Sequence, residues 1–329
     1  MKRKITASPA QHQATRFGIV FLLVSGVLFF LLNWLPAPYV KPLNIYTAKL
    51  AGMLIELTGV DVSVNGVFVS TGTFGVKIIT ECSAIFVVIL YLSFVAAYPA
   101  TVRQKAAGLA LGIPVLFTVN TIRLAAVFLT GMHHRGLFDY AHVYIGQILM
   151  ILLVLSVCLV WLRSVVHVRT KDSPGAFILR FIAFSSLPFV FWVFIDEAYV
   201  FANLYLVKQV FGLFSRPITV PGSLRLYPDT FNTFHLIAFT ALVLATRSID
   251  RRRKRKGLIV GLALLAAMHL LFRFHEVLYF GFSSPFTLPS FVALIIINQW
   301  ILPFLLWVAV VRGDLFAKDP AAKDPGAGG

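Results

Sequence analysis

Three side chains in the first half of the chain have the types needed for a nucleophilic centre: the thiol of Cys82, the guanidinium of Arg123 and the imidazole of His142. Cys82 stands in TECSAIFVVIL, at the head of an apolar run and directly after Glu81. A neutral imidazole can take a thiol proton, and the thiolate can attack a peptide carbonyl. A guanidinium can then stabilise the oxyanion or orient the substrate. Asn120 precedes Arg123 by three residues, so on a helix the two share a face and offer donors to a carbonyl or carboxylate. A helix opening at Cys82 would lower the thiol pKa from ~8.5 through its dipole and free N–H groups, while Glu81 would raise it.

Each of these residues also has a plainer reading. A cysteine in a membrane helix is commonly a small apolar filler, and Cys158, inside LLVLSVCLVWL, is read that way. Arg123 can snorkel to an interface. His142, like His133 and His134, can be an interfacial histidine. The histidines show no metal-ligand spacing, so no metal and no other cofactor is expected. One thiol at a helix mouth and one in mid-span make a disulfide unexpected.

The elements that must position these groups are membrane helices. Of 329 residues, 59% are hydrophobic and 13% charged, with a mean hydropathy of +0.86, far from soluble domains in which roughly a quarter of residues are charged. Several apolar runs reach the ~20 residues that cross a bilayer. The net charge of +16 is concentrated in short loops, above all RSIDRRRKRK from Arg247 to Lys256. Such loops orient a membrane protein and sit against anionic lipid, so nucleic acid is not an expected partner.

The pattern predicts a polytopic all-α fold with about eight transmembrane helices, interfacial helices and two small extracytoplasmic β-hairpins. A basic segment (residues 1–16) precedes a first span at 17–35, read as an uncleaved helix. LNIYTAKLAGMLIEL reads as an interfacial amphipathic helix. VDVSVNGVFVSTGTFGVKII alternates around Asn65-Gly66, a hairpin that leads into Cys82. Spans follow at 83–98, 106–129 and 140–162. The order then repeats: a span at 177–195, an amphipathic stretch at 199–214, a hairpin around Pro221-Gly222, and spans at 231–246, 257–275 and 291–311. Residues 17–169 thus form one membrane domain and 170–312 a second, a possible degenerate repeat, before a polar tail (313–329) expected to be disordered. GLALGI at Gly108 matches GLIVGL at Gly257 with an offset of 149. An offset of 150 pairs Arg123 with Arg273 and Cys82 with Asn232, so the second half would keep an arginine and lack the nucleophile.

With both termini inside, inner segments hold 20 Lys or Arg and outer segments 7, as the positive-inside rule requires. Cys82 then lies at the outer end of its span. Arg123, 17 residues into the next one, is about 25 Å along it, and His142 begins the following span at the outer side.

TECSAIFVVILYLSFVAAYP, NTIRLAAVFLTG and HVYIGQI, in that order, resemble the three signature blocks of the exosortase/archaeosortase family. The resemblance covers 17–162. It implies a membrane cysteine transpeptidase or protease with Cys82 as nucleophile, Arg123 as the family-type arginine and His142 as general base and acid. Asn120, Glu81 and Gln147 are candidate substrate-positioning residues. The implied partners are exported proteins with a C-terminal motif, one transmembrane helix and a basic tail, met at the outer face of the cytoplasmic membrane. The competing readings are a polytopic transporter, since intramembrane arginines and repeats occur there, and a non-catalytic membrane assembly factor.

Overall fold

The computed structural model describes residues 9–168, 173–213, 233–278 and 294–315. The chain divides into two compact units at Thr170/Lys171. Four helices are long and apolar enough to cross a membrane: α1 (Pro9–Trp34), α4 (Val102–His133), α7 (Pro174–Leu213) and α9 (Arg251–Glu276). This is a multi-pass membrane protein. The other predicted spans are represented by shorter apolar helices: α3 (Ile85–Ala97), α6 (Gly146–Ser164), α8 (His235–Ala245) and α10 (Leu302–Leu315). The 13 residues of α3 rise about 20 Å, less than a ~30 Å hydrocarbon layer.

In the first unit α1 packs along α3, while α3, α4 and α6 pack on one another. One seam of α1 is buried, Phe17, Phe21, Ser25 and Phe29, each four residues on from the last. Phe17 meets Phe94 edge-on at 5.4 Å and Phe29 meets Phe86 at 5.4 Å. Other large side chains of α1, including Leu23 and Phe30, are exposed. An apolar face of that extent suits lipid, not water.

The predicted amphipathic segment is helix α2 (Ala37–Glu56), which packs on α4. Its buried stripe, Ala48, Ala51 and Ile55, meets Leu124, Ala125 and Phe128 of α4 and the side chains Val62, Val69 and Ile78, and Cys82 belongs to the same core. The predicted hairpin is present with one more strand. β1 (Ser63–Asn65), β2 (Phe68–Ser70) and β3 (Gly75–Lys77) form an antiparallel meander, with Asn65 opposite Phe68. The turn residues are therefore Gly66 and Val67. Gly66 takes φ +61°, the left-handed conformation that a two-residue hairpin loop needs at its first position.

The second unit corrects one boundary. The span at 177–195 and the amphipathic stretch at 199–214 are a single helix, α7, of 40 residues. Asp196 and Glu197, which lie between the two predicted segments, are compatible with helix and do not break it. The expected second hairpin and Asn232 lie outside the described residues. So does the tail from residue 316, because α10 continues to Leu315.

The internal packing of the two units is alike. α1 packs on α3 as α7 does on α8, and α3, α4 and α6 pack together as α8, α9 and α10 do. A π-turn precedes the last helix of each, at Tyr140–Ile145 and at Ile297–Ile301. A side chain on Gly108 would strike Trp161 and one on Gly112 would strike Tyr91. Likewise Gly257 abuts Val310 and Gly261 abuts Phe239. Gly108 and Gly257 are 149 positions apart, as are Gly112 and Gly261, and as are the wholly buried Leu116 and Leu265. In that register Arg273 falls on Leu124 and His269 on Asn120. The pairing of Arg123 with Arg273, at an offset of 150, differs from that register by one residue, about 100° around a helix.

Candidate active site

The strand β3 leads through Ile79 into a 3₁₀ turn, Thr80–Cys82. The Cys82 amide donates to the Ile79 carbonyl (2.9 Å) and the Ser83 amide to the Thr80 carbonyl (3.1 Å). Asn44 of α2 pins the turn from the side through the Thr80 hydroxyl, 3.2 Å away. Ala84 then adopts φ +64°, a left-handed conformation that costs a residue with a Cβ roughly 1–3 kcal/mol. This kink separates Cys82 from α3, which starts at Ile85. Cys82 therefore does not open the helix as expected, and its own amide is committed to the turn.

Cys82 is 4% exposed. Burial pushes its thiol pKa above the ordinary value; a backbone contact at Ile79 and the Arg123 charge pull it down, and Glu81 adds to the rise. Glu81 itself is exposed.

Asn120 joins the other two groups. Its Nδ2 donates to the Cys82 carbonyl at 2.7 Å, and its Oδ1 accepts from Arg123 Nη1 at 3.1 Å. The amide, 1% exposed, is engaged by the protein on both sides. It ties the Cys82 backbone to the Arg123 guanidinium. Arg123 Nε is buried without a hydrogen-bond partner among the described residues. Beside it is an apolar cavity of about 260 Å³, walled by Ala126, Val127, Leu137, Ala141 and Leu149, with Arg123 as its charged group.

His142 sits on the π-turn between the short helix α5 (Arg135–Asp139) and α6. Single π-turns inside helices are frequent at functional sites. Arg123 is within electrostatic reach of both Cys82 and His142. His142 makes no hydrogen bond to Cys82 among the described residues, and catalytic bonds are often longer before substrate binds. The structure thus joins Cys82, Asn120 and Arg123 by hydrogen bonds and brings His142 to the same arginine. The side chain of Gln147 lies outside what is described.

Residues 7–162 match the family model described as transmembrane exosortase. The first half of this chain is thus similar to the transmembrane exosortases. No curated protein and no solved structure matches the chain.

Within this exosortase-like half, one participant is not singled out by the sequence. Gly146 opens α6, and a Cβ there would lie 2.8 Å from Arg123 Nε. The glycine stands in HVYIGQI, and its missing side chain is the only signal the sequence offers. Because Arg123 is the flexible partner, Gly146→Val should displace the guanidinium and leave the helices in place. We expect processing to fall at least about tenfold, a loss of ~1.4 kcal/mol in the barrier, with thermal stability little changed. Unaltered turnover in that variant would mean the observed Arg123 position is not needed.

The two cysteines are free, and Cys158 is buried in α6. Among the described residues no group of three or more metal-donor side chains forms. In the second unit Arg273, wholly buried, is paired with Glu276. Further along the same face of α9, His269 bonds the Tyr199 hydroxyl at 2.7 Å and contacts His235. Thr233 donates to Asp196 and accepts from Trp192 at 2.7 Å. His269, Arg273 and Glu276 recur at i, i+4 and i+7. That spacing announces a polar helix face, and sequence reading singles out only its arginine.

Proposed function

We propose that this chain is a membrane cysteine transpeptidase or peptidase that cleaves C-terminal sorting signals of exported proteins. The observation that carries the proposal is the Asn120 bridge, which locks the Cys82 backbone and the Arg123 guanidinium into one unit. A buried amide, a buried thiol and a cation at bilayer depth are expensive to assemble, and acyl transfer uses all three.

In this reading His142 accepts the Sγ proton as the thiolate attacks the scissile carbonyl carbon. Arg123 stabilises the oxyanion through guanidinium N–H groups that Asn120 does not engage. Collapse of the tetrahedral species breaks the C–N bond. The leaving amine takes the proton from His142, and an acyl thioester remains on Cys82. Attack by an amine or hydroxyl acceptor then completes transfer, and attack by water completes hydrolysis. The excess of basic residues on the inner loops favours cytoplasmic termini and a site at the outer face of the cytoplasmic membrane. The substrate would be an exported protein with a short motif, one membrane helix and a basic tail, its helix alongside the bundle.

The test is co-expression with such a protein, followed by mass measurement of the product. A new carboxyl terminus, free or joined to an acceptor, and a hydroxylamine-sensitive adduct on Cys82 are expected. An uncleaved substrate that is merely retained in the membrane would favour the assembly-factor reading instead.

The second unit fits a degenerate repeat of the first, on the similar packing and the common register of 149. Its polar cluster replaces the thiol site with His235, His269 and Tyr199. An experimental structure in which α4 and α9 superpose in another register would undo the repeat.

A further inference from the structure

His142 is gripped by an aromatic chain that begins in the β-meander. We propose that Phe138, backed by Phe74, is a positioning residue that fixes the His142 imidazole for proton transfer. The proposal rests on His142 being the general base.

The Phe138 and His142 rings are parallel within 2°, with centroids 5.5 Å apart, the offset-stacked arrangement that aromatic pairs prefer. Phe74 meets Phe138 edge-on at 5.4 Å and Phe128 of α4 at 5.2 Å. Gly131 makes this possible, because a Cβ there would collide with both Phe74 and Phe138. Phe74 in turn sits in a fixed loop between β2 and β3. The Thr71 amide donates to the Phe74 carbonyl at 2.7 Å, the Thr71 hydroxyl accepts from the Phe74 amide at 3.2 Å, and the Arg135 guanidinium donates to the Thr73 carbonyl.

The geometry has a chemical consequence. A base accepts a proton in the plane of its ring, so an imidazole on an irregular, half-exposed turn must be prevented from rotating. A parallel ring against one face does this while leaving both nitrogens free at the edge. The charged groups acting on His142 are Arg123 from α4 and Asp139 from its own segment, and neither restrains the ring plane. The same meander also delivers Cys82, since β3 runs directly into the 3₁₀ turn. One small sheet therefore sets the nucleophile through its backbone and the base through its aromatic loop, a task that the hairpin in the sequence does not reveal.

The test uses the full-length protein in membranes with a cleavable sorting-signal substrate. Phe138→Leu should lower kcat by about 10–100-fold with KM little altered, and Phe138→Tyr should restore most of kcat. Phe74→Leu, which leaves Phe138 in place without its backing, should give a smaller loss and serves if the first variant does not accumulate. Wild-type kcat in Phe138→Leu, or equal loss in the leucine and tyrosine variants, would overturn the positioning role and leave only packing. The parallel variant His142→Gln separates the two ideas. Loss there with none in Phe138→Leu rejects the stack alone; no loss in His142→Gln rejects the base and the stack with it.

Discussion

Cys82→Ala is expected to abolish processing of the sorting signal, by at least about 10³-fold, in a protein that still inserts and folds. Removal of the nucleophile in an acyl-transfer enzyme leaves only what binding and oxyanion stabilisation supply, so losses of that size are the rule. The fold should survive because the Cys82 backbone bonds to Ile79 and Asn120 are kept and only one buried sulfur is removed. Cys158→Ala, by contrast, should retain processing, since that thiol is buried in α6, twelve residues beyond Gly146. The thiol also has a pH signature. Burial raises the Cys82 pKa and the Arg123 charge lowers it, so at neutral pH the resting thiol keeps its proton. Its alkylation by a small neutral reagent should accelerate with a midpoint above the ~8.5 of an exposed cysteine. Replacing Arg123 by methionine removes a lowering influence and should move the midpoint higher still. A midpoint below the exposed value would overturn the dominance of burial at this thiol, and full processing by Cys82→Ala would end the thiol mechanism.

Much of this site is legible in the sequence because membrane helices have few polar residues, and each one costs enough to need a reason. Arg123 and Asn120 declare a shared face by their spacing. Cys82 declares a helix mouth by following an alternating segment. What spacing does not give is the partner of each polar atom. Asn120 offers the same amide donor whether it meets a substrate or the Cys82 carbonyl, and only the folded meander decides. The kink at Ala84 is equally hidden, because nothing in the composition of ECSAIF marks an alanine as left-handed. Helix lengths mislead for a similar reason. Apolar runs extend past helix ends, so α3 is shorter than its hydrophobic stretch, and α7 runs on through Asp196 and Glu197 because charge does not stop a helix. The comparison of the two halves shows the same limit. Matching Arg123 to Arg273 by type gives 150, whereas the glycine contacts that let helices approach give 149.

Arg123→Lys should reduce kcat by about 10²–10³-fold, the range seen when one oxyanion donor is removed, with little loss of stability because the positive charge remains. The reason is geometric. Arg123 presents Nη1 to Asn120 Oδ1 at 3.1 Å, and its guanidinium also lines the apolar cavity. A planar fork can hold the Asn120 bridge and keep another N–H aimed at a developing oxyanion. An ammonium is a single point on a flexible stem and lacks that fixed fork. If the substituted lysine keeps the bridge it gives up the oxyanion, and if it serves the oxyanion it releases the tie to the Cys82 backbone. The measurement is single-turnover formation of the Cys82 acyl adduct, which isolates the first chemical step from later transfer. Full-rate acylation in Arg123→Lys would show that charge alone suffices and that the fork has no catalytic part. A transporter or an assembly factor predicts no Cys82 adduct in either protein, so the same experiment separates the enzyme reading from both competitors.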